Sequence, residues 1–100
     1  MANLKQGIED AHIAEIRGGM YDVTITYDNG YSVKASGELY PGATFYAYRK
    51  SLKHWCSPHE NEPFTLKDAR KVVDDVNKSN GPNKVKVVFQ GDFAPELVEN

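Results

Sequence analysis

Two stretches of strictly alternating residues, joined by Asp28-Asn29-Gly30, constrain the fold of this chain more than any other feature. In residues 21–27 the apolar and aromatic positions share one face: Tyr21, Val23, Ile25 and Tyr27. Residues 31–37 resume the alternation with Tyr31, Val33, Ala35 and Gly37. This pattern predicts two half-buried antiparallel strands, with one face towards a core and the other towards water.

The loop between these strands sets their register, because directly opposed residues share a face of the sheet. A two-residue loop would place Tyr27 opposite Ser32 and mix apolar with polar positions. A three-residue loop places Tyr27 opposite Tyr31 and gives Gly30 the left-handed position of a type I turn with a bulge. We therefore predict the three-residue loop, with these further pairs: Ile25–Val33, Val23–Ala35, Thr24–Lys34 and Thr26–Ser32.

The residues that precede this hairpin have two interpretations. Residues 17–20 predict a tight turn around their two glycines, which places Ile16 opposite Tyr21 in a further strand. That register leaves Ile13 on the outer face. A short helix over residues 4–16 is the alternative, since apolar residues also recur there at helical spacing.

Two further short strands flank a helix. Residues 45–48 and 84–90 alternate as strands. Residues 49–64 are rich in proline and polar residues and predict a loop, with one helical turn over 51–54.

The helix is predicted over residues 66–79, with Thr65 as its N-cap and Asp68 completing a capping box. Its apolar stripe consists of Leu66, Ala69, Val72, Val73 and Val76. Its predicted water-facing residues are Arg70, Lys71, Asp74, Asp75 and Lys78. Asn80-Gly81-Pro82 is a typical stop signal. The whole chain, residues 1–100, is thus expected to form one α+β domain: a mostly antiparallel meander of about five strands with one helix on one face.

Charge and apolar patterning exclude several function classes. With 14 acidic and 12 basic residues, the chain lacks the positive surface that non-specific nucleic-acid binding needs. No apolar run approaches the roughly 20 residues of a membrane span. A lone cysteine, Cys56, requires no oxidising compartment, so we expect a cytoplasmic protein.

The side chains that come closest to a catalytic or metal site are His54, Cys56 and His59. A reactive thiolate needs a base held by a third group, and no such group is marked in the sequence. The spacing matches no usual zinc pattern and a fourth ligand is missing. We therefore predict no catalytic residues, no metal and no cofactor, while a Cys/His-dependent enzyme stays as an alternative.

Aromatic residues are concentrated in residues 21–55: Tyr21, Tyr27, Tyr31, Tyr40, Phe45, Tyr46, Tyr48 and Trp55. A small sheet can bury only some of these on one face. Tyrosines that stay exposed are typical of protein-binding surfaces. The composition thus favours binding to another protein.

Residues 31–58 also carry a family pattern. Gly37-Glu38-Leu39 ends an alternating strand, the aromatic strand Phe45-Tyr46-Ala47-Tyr48 follows, and Trp55 precedes Pro58 by three positions. Over roughly residues 12–90 this arrangement resembles the immunity-protein family of bacterial polymorphic toxin systems that is numbered seventy-four. The resemblance implies a cytoplasmic antidote that binds one cognate toxin domain, with no need for nucleic acid, a membrane or self-assembly.

Within that interpretation, Gly37, Glu38, Trp55 and Pro58 are the positions that match the family pattern, and they can serve the fold instead of the toxin. The first candidates for toxin contact are Glu38, Tyr40 and Tyr46, with Asp74 and Asp75 to steer a basic toxin such as a nuclease. A small adaptor or a subunit of a larger assembly remains the alternative function.

Overall fold

Five strands form a single sheet whose spatial order follows the chain. The computed structural model describes residues 7–42, 44–79 and 86–98. The strands are β1 (Ile13–Gly18), β2 (Asp22–Tyr27), β3 (Ser32–Tyr40), β4 (Thr44–Tyr48) and β5 (Lys86–Gln90), and the helix is α1 (Leu66–Ser79). β1 to β4 are antiparallel neighbours, whereas β5 runs parallel to β4 because α1 lies between them in the chain. The predicted α+β architecture is confirmed.

The hairpin between β2 and β3 has the predicted register. All four of the further predicted pairs, from Val23–Ala35 to Thr26–Ser32, are present. The Tyr27 amide donates to the Tyr31 carbonyl at 2.8 Å, and Gly30 closes the turn with φ at +96°. A glycine lies at the one loop position where the backbone is left-handed, as the sequence predicted.

The segment before this hairpin is a strand from Ile13 onwards, but the predicted register is wrong. Ile16 opposes Ile25, and not Tyr21. A bulge inserts Ala14 between the paired positions, so Ile13 and Ile16 both pack against the core although they are three residues apart. Of the alternative helix over 4–16, residues 7–10 form a turn and residues 4–6 lie outside the described part of the chain.

Tyr21 is the second correction, since it was expected on the buried face of β2. The strand begins only at Asp22, and the Tyr21 side chain is 68% exposed. β1 ends at Gly18, which pairs with Val23, so residues 19–21 form the connection in place of the predicted two-residue loop. The extra loop length removes Tyr21 from the alternation.

α1 begins with the predicted capping box. The Thr65 hydroxyl accepts from the Asp68 amide at 3.2 Å, and the Asp68 carboxylate accepts from the Thr65 amide at 2.9 Å. The buried residues of the helix are Ala69, Val72, Val73 and Val76, while Leu66 is half-buried. α1 ends at Ser79; the predicted stop at 80–82 and the start of the last strand at 84–85 lie outside the described residues.

The loop after β4 contains one 3₁₀ turn at Arg49–Ser51, earlier than the predicted turn over 51–54. Ser51 explains the shift, because its hydroxyl donates to the Tyr48 carbonyl at 2.6 Å. The same oxygen accepts from the Ser36 amide at 2.9 Å, which ties the turn to β3. The loop is thereby anchored beside the sheet.

One hydrophobic cluster joins the inward residues of the sheet to α1. Its largest fully buried side chains are Trp55, Tyr27 and Phe45. α1 therefore covers the inward face of the sheet, and the opposite face has no helix over it within the described residues.

Candidate protein-binding surface

Alternation in β3, β4 and β5 creates a polar and aromatic surface on the sheet face opposite α1. Phe45 and Ala47 point into the core with no exposed area, so Tyr46 and Tyr48 take the opposite face. Directly opposed positions share that face: Glu38 with Tyr46, Tyr40 with Thr44, and Tyr46 with Val88. We call Glu38, Tyr40, Tyr46, Tyr48 and Val88 the outer face.

At the centre of the outer face, two tyrosines support each other. The rings of Tyr40 and Tyr46 meet edge to face with centroids 5.0 Å apart, a favourable geometry for an aromatic pair. Tyr40 is 49% exposed, and Tyr46 is half-buried. Their positions on neighbouring strands and this edge contact restrict the rotation of both rings.

Glu38 adds a charge next to this pair. It lies directly across from Tyr46 and is exposed. Its carboxylate forms no ion pair or hydrogen bond with any residue in the described ranges. The structure thus brings together Glu38, Tyr40 and Tyr46, which the sequence singled out for partner contact.

Exposed apolar residues that the sequence did not predict lie along the last part of β3 and in the β1–β2 connection beside it. The Leu39 amide donates to the Met20 carbonyl at 3.2 Å, and the Gly37 amide donates to the Tyr21 carbonyl at 3.0 Å. Met20 and Tyr21 are about two-thirds exposed, and Leu39 is 45% exposed. The only signal for them in the sequence was the pair of glycines at 18–19, which lengthens the connection and carries Tyr21 out of the core.

Asp75 lies on α1, on the other side of the sheet, and its predicted exposure is wrong. Its side chain is 19% exposed, since the carboxylate accepts from the Tyr27 hydroxyl at 2.8 Å and from Lys71 Nζ at 2.9 Å. Burial, followed by the contact with Asp75, raises the pKa of Tyr27 well above its ordinary value. Asp75 therefore joins β2 to α1, and its role in toxin binding stays a prediction.

Asp74 is exposed, as expected for a steering charge. It lines a groove of about 320 Å³ together with Arg49, Arg70 and Phe93. Arg49 is held there by a 2.7 Å hydrogen bond to the Gly91 carbonyl and by the nearby face of the Phe93 ring. Since two guanidinium groups share this groove, Asp74 does not create a negative patch at that position.

Two of the family-pattern positions, Gly37 and Trp55, lie in the core. A Cβ at Gly37 would overlap the Tyr46 carbonyl oxygen and lie 2.8 Å from Ala47 Cα, so no side chain fits there. Trp55 is 1% exposed and donates from Nε1 to the Pro63 carbonyl at 3.1 Å. Pro58, by contrast, is exposed and follows a cis peptide bond.

Trp55 also organises the loop before α1. Its ring makes edge contacts with Tyr31 at 5.1 Å and with Phe64 at 4.7 Å, and its backbone forms a bridge to Val33 on β3. The Tyr31 hydroxyl donates to Glu62 of the same loop. Burial first, and this bond second, raise the pKa of Tyr31. The family pattern therefore includes residues that hold the loop on the sheet.

The residues considered for catalysis serve the packing of the same loop. The Cys56 amide donates to the Ser32 carbonyl and the Cys56 carbonyl accepts from the His59 amide, both at 2.9 Å. The His59 ring stacks on Tyr31 with centroids 3.8 Å apart, whereas His54 is exposed. Across ranges 7–42, 44–79 and 86–98, no three His, Cys, Asp or Glu side chains lie close enough to hold a metal ion.

Comparison with known proteins assigns the chain to a family. The family model described as Immunity protein 74 matches residues 15–90, which is most of the chain and includes the whole outer face. No curated protein and no solved structure matches the chain. No helix of the described residues is long and apolar enough to cross a membrane. The resemblance seen in the sequence is confirmed, and this chain belongs to the immunity protein 74 family.

Proposed function

We propose that this protein binds one cognate bacterial toxin domain through its outer face and thereby neutralises the toxin. The observation that carries the proposal is the joint placement of Glu38, Tyr40 and Tyr46 on the sheet face opposite α1. Membership of an immunity-protein family supports a toxin as the partner.

The outer face has the properties of an interface centre. Tyrosine offers a large contact area with few rotatable bonds, and the edge contact between Tyr40 and Tyr46 restricts both rings further. A standard interface covers roughly 800 Å² on each partner. That is about one-eighth of the 6254 Å² surface of this chain.

The charge of Glu38 suggests the chemistry of the partner. An unpaired carboxylate beside two tyrosine rings suits an arginine or lysine side chain, which can pair with the acid and stack against an aromatic face. A toxin domain with a basic surface, such as a nuclease, fits that requirement. The role of Asp74 in steering stays a prediction, since Arg49 and Arg70 in the same groove offset its charge.

The proposed antidote acts as a non-catalytic binder in the cytoplasm, where Cys56 stays reduced. A single copy carries the whole outer face, so no second copy is required for toxin contact.

Co-expression with the toxin domain encoded next to its gene tests the proposal. We expect cells to survive only when this protein is present, and the two proteins to elute together in gel filtration. The double variant Tyr40→Ala/Tyr46→Ala should lose protection, while Asn77→Ala, an exposed change on α1, should keep it. Death of the cells despite soluble wild-type protein, with no complex on the column, would show the proposal to be wrong.

A further inference from the structure

A groove of about 370 Å³ continues the outer face beyond Tyr48. Tyr48 and Ser36 form the wall on the side of the sheet, since both belong to the face opposite α1. Residues 94–96 also line the groove, and Lys50 and Lys53 contribute its cations. The groove is therefore a concave extension of the surface that carries Tyr46.

Of the two lysines that line this groove, only Lys53 has an ionic partner among the described residues. Lys53 Nζ lies 3.6 Å from a carboxylate oxygen of Glu96, so the chain itself supplies a partner for that cation. Lys50 forms no ion pair with a described residue, and its Nζ lies 5.8 Å from the centre of the Tyr48 ring. Two lysines against one glutamate leave the groove with one uncompensated positive charge, at Lys50.

We infer that this groove binds an acidic side chain of the toxin domain, with Lys50 as its ionic partner and the Tyr48 ring as its apolar wall. The inference rests on the proposed function and deepens it. The uncompensated charge of Lys50 supports this inference, and so does the continuity of the groove with the outer face. The outer face and its groove then offer two charges of opposite sign, Glu38 for a basic residue and Lys50 for an acidic one.

These two charges restrict how the partner can dock. A toxin domain that brings a cation to Lys50 and a carboxylate to Glu38 would place like charges in contact, which opposes binding. The groove thus contributes to specificity for one partner, beyond the affinity that the tyrosines provide.

The test compares two variants that change the net charge equally. Lys50→Glu reverses the groove charge, whereas Lys67→Glu reverses an exposed lysine in the first turn of α1, which does not line the groove. The purified toxin domain encoded next to the gene is titrated with wild type and both variants. We expect Lys50→Glu to weaken binding about tenfold or more, with Lys67→Glu within about threefold of wild type.

A charge exchange identifies the acidic partner residue. Each exposed acidic residue of the toxin domain is replaced by lysine, and we expect one replacement to restore binding to Lys50→Glu while weakening binding to wild type. Equal Kd values for Lys50→Glu and Lys67→Glu, with Tyr46→Ala still binding the toxin weakly, would show the groove inference to be wrong. The proposed function would then stay intact. Absence of any complex with wild type would instead refute the proposed function, and the groove inference with it.

Discussion

The Tyr27 hydroxyl donates a 2.8 Å hydrogen bond to the Asp75 carboxylate and so connects the end of β2 to the middle of α1. Tyr27 is 1% exposed, and the same carboxylate also pairs with Lys71. We expect Tyr27→Phe to lower the free energy of unfolding by about 1.5 kcal/mol, because a hydrogen bond to a charged group is lost. Urea unfolding measures this loss. The control is Tyr21→Phe at an exposed position, and an equal loss there would contradict the role of Asp75.

The same tyrosine should make the protein less stable at alkaline pH. Burial and Asp75 raise the pKa of Tyr27 in the folded state, while an unfolded phenol ionises near its ordinary value of about 10. Ionisation then favours the unfolded chain, so stability that is complete below about pH 10 is lost as the pH rises above it. Urea unfolding measured between about pH 9 and about pH 11 should show a free energy of unfolding that falls more steeply with pH for wild type than for Tyr27→Phe. Parallel pH profiles would contradict the shift.

Gly37 should be the least replaceable glycine of the sheet. A Cβ there overlaps the Tyr46 carbonyl and lies 2.8 Å from Ala47 Cα, both of them backbone atoms of β4 that cannot move aside. We expect Gly37→Ala to destabilise the protein by about 3 kcal/mol in thermal or urea unfolding. Gly19→Ala is the matched control, since its Cβ would meet the movable Asp22 side chain at 3.2 Å, and it should stay within about 1 kcal/mol of wild type. Similar costs at both positions would contradict the steric argument.

Cys56 should be replaceable, because its contribution to the loop comes from its backbone. Both its amide and its carbonyl form 2.9 Å hydrogen bonds, and neither depends on the thiol. We expect Cys56→Ser to change the free energy of unfolding by less than about 1 kcal/mol and to leave toxin protection intact. Loss of protection by a folded Cys56→Ser variant would reopen the thiol-dependent alternative.

Local patterns allowed much of this fold to be predicted from the sequence. The hairpin register follows from strict alternation and from a glycine at the left-handed loop position, and the start of α1 follows from the Thr65–Asp68 capping box. Each of these features depends on residues within a few positions of one another. The bulge at Ala14 was missed because an inserted residue breaks the period on which the prediction rested.

Local patterns also named some residues of the candidate site, but they did not show contacts between distant segments. The sequence singled out Glu38, Tyr40 and Tyr46 as separate candidates, and only the pairing of β3 with β4 shows that they lie together. The contact of Met20 with Leu39 was not predicted, because it depends on the length of the preceding loop. Asp75 was placed in water because a helical pattern cannot show that a tyrosine hydroxyl from a distant strand reaches the edge of the apolar stripe. Contacts between distant segments thus account for both errors.

Calorimetric titration of the toxin domain encoded next to the gene with Tyr46→Ala, beside wild type and Asn77→Ala, tests whether the outer face is the toxin-binding surface. If the outer face carries the interface, Tyr46→Ala raises Kd by about thirtyfold, the effect of losing about 2 kcal/mol at an interface hot spot, while Asn77→Ala binds like wild type. The unfolding curve of Tyr46→Ala confirms that the variant is folded under the titration conditions. Unchanged affinity in folded Tyr46→Ala would show that the outer face does not bind the toxin. A weaker complex with Asn77→Ala alone would place the interface on the helical side.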